Sequence, residues 1–256
     1  MAQHVYDDPT FFAGYARLPR SIGGLDAAPE WPSLRAMLPE LRGKRVLDLG
    51  CGYGWFCRWA REQGATAVFG IDVSEKMLAR AQADTGDPGI VYRLGDLETV
   101  ELGIEQYDLV YSSLAFHYVG ALLRLLHEIH RALADGGVLV FSTEHPIYTA
   151  PPQPRWSTDA VGNKEWPVSR YLEEGPREPE WLGARVRKHH RTLGTWVNSL
   201  IAAGFSLQRL EEWRPTDRQI AAQPDLADER HRPIFLLIAA RKWRQSAGTD
   251  EPHAHR

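Results

Sequence analysis

From residue 46 onward, short apolar runs alternate with segments of helical periodicity. Val46 to Leu49 runs directly into a glycine-rich turn and reads as a strand covered on both faces. The pattern then predicts a helix over 55–63, stopped by Gly64, and a second strand from Ala67 to Ile71 that closes on Asp72. Ser74 caps the next helix, with Glu75 in its first turn and Met77, Leu78 and Ala81 on its apolar side. Ile90 to Asp96 predicts a third strand and Tyr107 to Ser113 a fourth. A helix from about Ala121 to Leu133, the turn Asp135-Gly136-Gly137 and a fifth strand, Val138 to Ser142, follow. A further helix is expected to open at Lys188-His189-His190-Arg191-Thr192 and to end near Ala203-Gly204. Phe205 to Glu211 and Ile234 to Arg241 supply two more strands. Strands alternating with helices over short connections predict a parallel, doubly wound sheet with right-handed crossovers.

The turn after the first strand carries the first chemical signal. Glycines at 50, 52 and 54 permit positive φ and let a ligand approach the backbone closely. A dinucleotide fingerprint requires G-x-G-x-x-G, whereas this chain has Trp55 after Gly54 and reads G-x-G-x-G. Asp48 beside the loop would repel a pyrophosphate and suits a cationic group instead. These two features argue against an NAD-dependent oxidoreductase. Asp72, at the tip of the second strand, is placed to accept both hydroxyls of an unphosphorylated ribose.

Five elements occur in order: Asp48-Leu49-Gly50-Cys51-Gly52-Tyr53-Gly54, Gly70-Ile71-Asp72, Gly95-Asp96-Leu97, Tyr107-Asp108-Leu109-Val110 and Leu133-Ala134-Asp135-Gly136-Gly137. In order and spacing they resemble the motif series of class I S-adenosylmethionine-dependent methyltransferases, over roughly Leu41 to Glu144. The resemblance implies a seven-stranded Rossmann-like sheet of order 3-2-1-4-5-7-6, its last strand antiparallel, with a lid insertion after strand five. It implies S-adenosylmethionine as cofactor, S-adenosylhomocysteine as product and methyl transfer by in-line displacement. Asp48 is then expected near the methionyl ammonium, with Gly50, Cys51, Gly52, Gly54 and Trp55 along the amino-acid and ribose ends. Asp72 would hold the ribose, with Val73 and Met77 beside it. Asp96 would meet the adenine amino group, with Leu97 and Glu98 at the ring. Ser112 and Ser113 open the loop at the reacting centre. Tyr15 and Arg20, with Arg17 nearby, are candidates from a segment that would lie over the methionine end. His117 is a candidate cofactor contact or general base, His145 a candidate base, and His189 and His190 could line the pocket.

The remaining sequence sets the context. One sheet spanning Val46 to Arg241 favours a single domain over 1–245, with a cap at 1–41 and a lid or substrate insertion at 145–188. That insertion carries Pro146, Pro151-Pro152-Gln153-Pro154, Trp156, Trp166, Tyr171 and Trp181. Its length points to function or disorder, and its aromatic content argues against disorder. Residues 246–256 read as a disordered tail. A formal charge of −3 gives no electrostatic footprint for nucleic acid, and the basic run Arg185 to Arg191 reads as a solvated helix start or as a contact for an anionic substrate. Ser112-Ser113-Leu114-Ala115 stands where nucleic-acid amino methyltransferases carry an Asn-Pro-Pro-Tyr type motif. A small organic acceptor is therefore expected; an RNA or tRNA methyltransferase, or a non-catalytic cofactor-binding protein, is the alternative. No run is long enough to span a bilayer, and Met1-Ala2-Gln3-His4 lacks the regions of a signal peptide. Cys51 and Cys57 read as reduced thiols of a cytoplasmic protein, without metal-ligand spacing. No metal is expected, and a monomer or homodimer.

Overall fold

A computed structural model of the chain describes residues 5–243; the expected tail at 246–256 lies outside the described residues. Before the first strand come α1 (Pro9–Tyr15), α2 (Pro19–Gly23) and α3 (Trp31–Arg35). The α/β core follows as β1 (Arg45–Leu49), α4 (Trp55–Glu62), β2 (Ala67–Asp72), α5 (Glu75–Ala83), β3 (Ile90–Leu94), β4 (Tyr107–Ser113), α6 (Leu122–Ala132) and β5 (Leu133–Glu144). After α7 (Pro146–Thr149) the insertion forms three small ribbons. β6 (Ser157–Thr158) pairs with β7 (Lys164–Glu165), β8 (Gly175–Arg177) with β11 (Lys188–His190), and β9 (Glu180–Trp181) with β10 (Ala184–Arg185). The chain returns through α8 (Leu193–Ala202), β12 (Phe205–Glu212), α9 (Asp217–Ala222) and β13 (Phe235–Lys242).

The main sheet has seven strands in the order β12-β13-β5-β4-β1-β2-β3. β1 to β5 run parallel, and β13 lies antiparallel between β5 and β12. This is the Rossmann-like methyltransferase sheet that the motif series implies. Alternation of side chains sends Leu47, Leu49, Val110, Leu139 and Phe141 into one core with Leu125, Leu126 and Ile129 of α6 and Trp196 of α8. Val46, Val68, Leu109, Tyr111 and Val140 enter the other, with Trp31, Phe56 and Ala60. Phe56 stacks on Tyr111 at 3.6 Å between ring centroids. Chain order reverses between β1 and β4, so their carboxyl ends open the crevice where ligands bind in such sheets.

Three sequence expectations need correction. β3 ends at Leu94 rather than Asp96, because the Asp96 carboxylate accepts the Glu98 amide at 2.9 Å and turns the chain. β5 starts at Leu133 and absorbs the expected 135–137 turn, with a register shift against β4 between Tyr107 and Leu109. His189 and His190 belong to β11 instead of opening a helix; α8 begins three residues later, where Thr192 Oγ1 accepts the Thr195 amide. Among the described residues, no helix is long and apolar enough to cross a membrane.

Candidate active site

The floor of the crevice is the turn after β1. Gly50 and Gly52 sit at φ 77° and 51°, which L-residues rarely adopt. A Cβ on Gly50 would also lie 2.5 Å from the Ala115 methyl, so side-chain volume is excluded there as well. The amides of Gly50 and Cys51 both donate to the Ile71 carbonyl, at 2.8 and 3.0 Å. The Gly52 amide donates to Asp72 Oδ2 at 2.8 Å, and Ser74 donates to Asp72 Oδ1 at 2.9 Å. Backbone amides thus hold both carboxylate oxygens, with the Val73 amide also directed at the carboxylate. Burial raises the Asp72 pKa, and its amide donors work against that rise.

A cavity of about 870 Å³ runs from this floor along the carboxyl edge of the sheet and under the insertion. Of the residues singled out from sequence, Tyr15, Arg20, Gly50, Gly52, Asp72, Val73, Met77, Asp96, Leu97, Glu98, Ser113, His117 and His189 line it. Several others do not. Asp48 is buried beneath the loop, accepts the Cys57 thiol at 3.4 Å, and is pushed up to about 7 by burial. Cys51 packs into the core close to Gly70. Gly54 sits under the Tyr92 hydroxyl. Trp55 faces away, its ring against Gly24 and 4.8 Å from the Arg58 guanidinium, so it fastens the amino-terminal segment to α4. Ser112 is buried, and its hydroxyl donates to the Leu49 carbonyl at 2.7 Å.

The histidines separate. His117 lines the cavity; His145 does not. Its Nδ1 accepts the Ile147 amide at 3.1 Å and its Nε2 lies 2.8 Å from Glu212 Oε1, so both nitrogens are engaged in capping α7 and holding β12. His190 is likewise occupied, by the Thr149 hydroxyl and the Tyr171 carbonyl, each at 2.8 Å.

Sequence reasoning passed over Tyr6, Tyr118, Glu144 and Tyr148, which line the cavity, as does Lys188 of the basic run. Tyr6 donates to the Tyr118 hydroxyl at 3.1 Å and meets Tyr15 edge-on at 5.3 Å. Phe11 and Tyr15 both meet Trp181 of the insertion edge-on, at 5.3 and 6.2 Å, so the amino-terminal segment and the insertion touch. Lys188, inside the run expected to be a solvated helix start, is buried and pairs with Glu144 at 2.5 Å. Arg191 of the same run is also buried and donates to the carbonyls of Val119 and Gly120. Glu144 stands at the carboxyl end of a strand, a position that could have singled it out.

Comparison with known proteins agrees with this geometry. Residues 47–141 match a family model described as a methyltransferase domain. An S-adenosylmethionine-dependent methyltransferase from Mesorhizobium loti is 58% identical, with a TM-score of 0.83, covering 85% of this chain and all of that one. The malonyl-[acyl-carrier protein] O-methyltransferase of Salmonella typhimurium is 32% identical over 72% of this chain and 74% of that enzyme. Its counterpart from Enterobacter lignolyticus is 40% identical, over 43% of each chain. The chain belongs to the S-adenosylmethionine-dependent methyltransferases of class I fold, and S-adenosylmethionine is its cofactor.

Proposed function

We propose that this enzyme transfers the methyl group to a small organic acceptor held between the carboxyl edge of the sheet and the 145–188 insertion. The observation that carries this is one continuous cavity lined both by Asp72 and by Tyr148, Trp181 and Lys188 of the insertion. Its volume of about 870 Å³ lies near the upper end of the ~300–1,000 Å³ usual for small-molecule sites. That leaves room for an acceptor beside a nucleoside-sized cofactor.

The residues present fit the cofactor. The Asp72 carboxylate, which lines the cavity, can accept from a pair of vicinal ribose hydroxyls, and Val73 and Met77 line the cavity with it. Asp96 uses one oxygen on the Glu98 amide and keeps the other for an exocyclic amine, with Leu97 against the ring. Arg20 and Tyr15 face the methionine end; Arg20 is anchored to the buried Glu30 at 2.7 Å. When bound, the cofactor supplies an already activated methyl. The protein's contribution is to align the acceptor with it and to exclude water. Trp181, Tyr148 and Tyr118 wall the acceptor chamber with aromatic surface. The names of the malonyl-[acyl-carrier protein] O-methyltransferases point to an oxygen as the methylated atom. Calorimetric titration with S-adenosylhomocysteine, beside NADH, tests the site. Tight binding of the former alone is expected; binding of NADH, or of neither, would overturn the assignment.

A further inference from the structure

The amino-terminal segment 5–24 crosses the cofactor floor and is seated on both of its walls. On one side Asp7 Oδ1 accepts the Ser74 hydroxyl at 2.6 Å and the Lys76 amide at 3.3 Å, just beyond Asp72. On the other, Gly24 lies against Trp55, the first residue of α4. Between these anchors Phe12 and Tyr15 meet Tyr53 of the glycine turn edge-on, each at 6.0 Å. Tyr6, Tyr15 and Arg20 line the cavity together with Asp72. A cofactor held at Asp72 therefore lies beneath this strap.

The strap is gripped in turn by the tip of the β9–β10 hairpin. These two strands pair only with each other, and a two-stranded ribbon without a wider sheet is marginal by itself. The turn joining them is Leu182-Gly183, with φ of 50° and 78°. Two successive positive-φ residues match a type I′ turn, whose first position favours Asn, Asp or Gly. Leucine serves such a turn poorly, so its presence is explained by what its side chain touches. Its Cβ lies 3.6 Å from the point where a Cβ on Gly14 would stand, with its two methyls at 3.6 and 3.8 Å from that point. Gly14 thus leaves a gap in α1 that Leu182 fills. Trp181 beside it meets Phe11 and Tyr15 edge-on, and positions 11, 14 and 15 share one face of a helix.

We infer that this tip is a latch: S-adenosylmethionine and S-adenosylhomocysteine exchange only when the hairpin lifts from α1 and frees the strap. Trp181 also lines the cavity, so the cover of the cofactor and the roof over the acceptor open as one unit. The thioether product leaves only after that roof has lifted. This goes beyond the function proposed above; it stands on the cofactor site at Asp72 and holds whichever acceptor is methylated.

The test is a cross-link across the contact. The separation of 3.6 Å between Cβ positions 14 and 182 falls within the about 3.5–4.5 Å found in disulfides. A full chain carrying Gly14→Cys and Leu182→Cys should therefore close when treated with oxidised glutathione. It is loaded with radiolabelled S-adenosylhomocysteine, oxidised, and chased with unlabelled ligand; the wild-type chain treated alike controls for Cys51 and Cys57. Closing the disulfide should slow release about a hundredfold, because the gating motion is blocked, and dithiothreitol should restore it. Leu182→Gly keeps the turn and empties the gap. It should speed binding and release by the same factor, roughly fivefold, as opening a gate does, whereas a lost ligand contact would raise release alone. A cysteine pair that does not close, wild-type release from the closed form, or Leu182→Gly with unchanged rates or faster release alone would overturn the inference. Failure of the wild-type chain to bind S-adenosylhomocysteine would instead overturn the cofactor site on which it stands.

Discussion

The floor and the roof of the cavity are held by different means. On the floor, backbone amides of Gly50, Cys51, Gly52 and Ser74 fix the loop against Ile71 and Asp72. The roof is held by buried cations. Arg177 donates to the carbonyls of Ala150 and Glu173, Arg191 to those of Val119 and Gly120, and Lys188 to Glu144. Arg232, buried near the start of β13, lies over Tyr148, Trp156 and Trp166, with its guanidinium 3.9 Å from the Trp166 ring centroid. Backbone geometry cannot be retuned without rebuilding the loop, whereas side-chain staples can be exchanged one at a time. One cofactor can thus be kept on the floor while the acceptor chamber above it varies.

Substitutions should separate the two regions. Gly50→Val forces a β-branched residue into positive φ and drives its Cβ onto Ala115. Strain and overpacking together should cost roughly 4 kcal/mol, read as a lower urea midpoint with loss of S-adenosylhomocysteine binding. A stable variant with normal affinity would show that the loop tolerates volume.

The pH dependence should have opposite signs at two buried groups. His117 is held at about 4 when folded, against 6.5 for a free imidazole. The unfolded chain therefore binds the extra proton first, and stability falls as pH drops from about 6.5 to 4. That gap is worth about 3 kcal/mol at most. His117→Phe should remove this part of the slope. Asp48 behaves oppositely, being near 7 when folded against 3.8, so it costs stability as pH rises through that window. Asp48→Asn should flatten that loss. Equilibrium unfolding of both variants from pH 4 to 8 checks the signs.

Arg232→Ala empties the aromatic clasp and leaves Glu229, its partner at 3.0 Å, unpaired. The clasp should weaken by about 2 kcal/mol. Amide exchange should quicken across 146–177 while the floor stays protected. Equal loss of protection in both regions would mean that they open together.

The same contrast explains what was legible in the sequence. Glycines at 50 and 52 and acids at strand tips announce backbone geometry locally, so the floor, all five parallel strands and Asp72 could be read from the chain. Lys188 and Arg191 look like ordinary solvated charges, because what buries them lies 44 residues away at Glu144 and 72 away at Val119. His145 drew attention over Glu144, the last residue of β5, which it directly follows, and only the fold shows that Glu212 and Ile147 occupy the imidazole. Trp55 was misplaced for a similar reason. Its neighbour Gly24 precedes the sheet altogether.

The most direct measurement is calorimetric titration of S-adenosylhomocysteine into the wild-type chain, Asp72→Ala and Arg232→Ala side by side. The division into floor and roof requires Asp72→Ala to lose at least a hundredfold in affinity, about 2.7 kcal/mol, and Arg232→Ala to stay within threefold. Normal affinity in Asp72→Ala, or an equal loss in both variants, would contradict it.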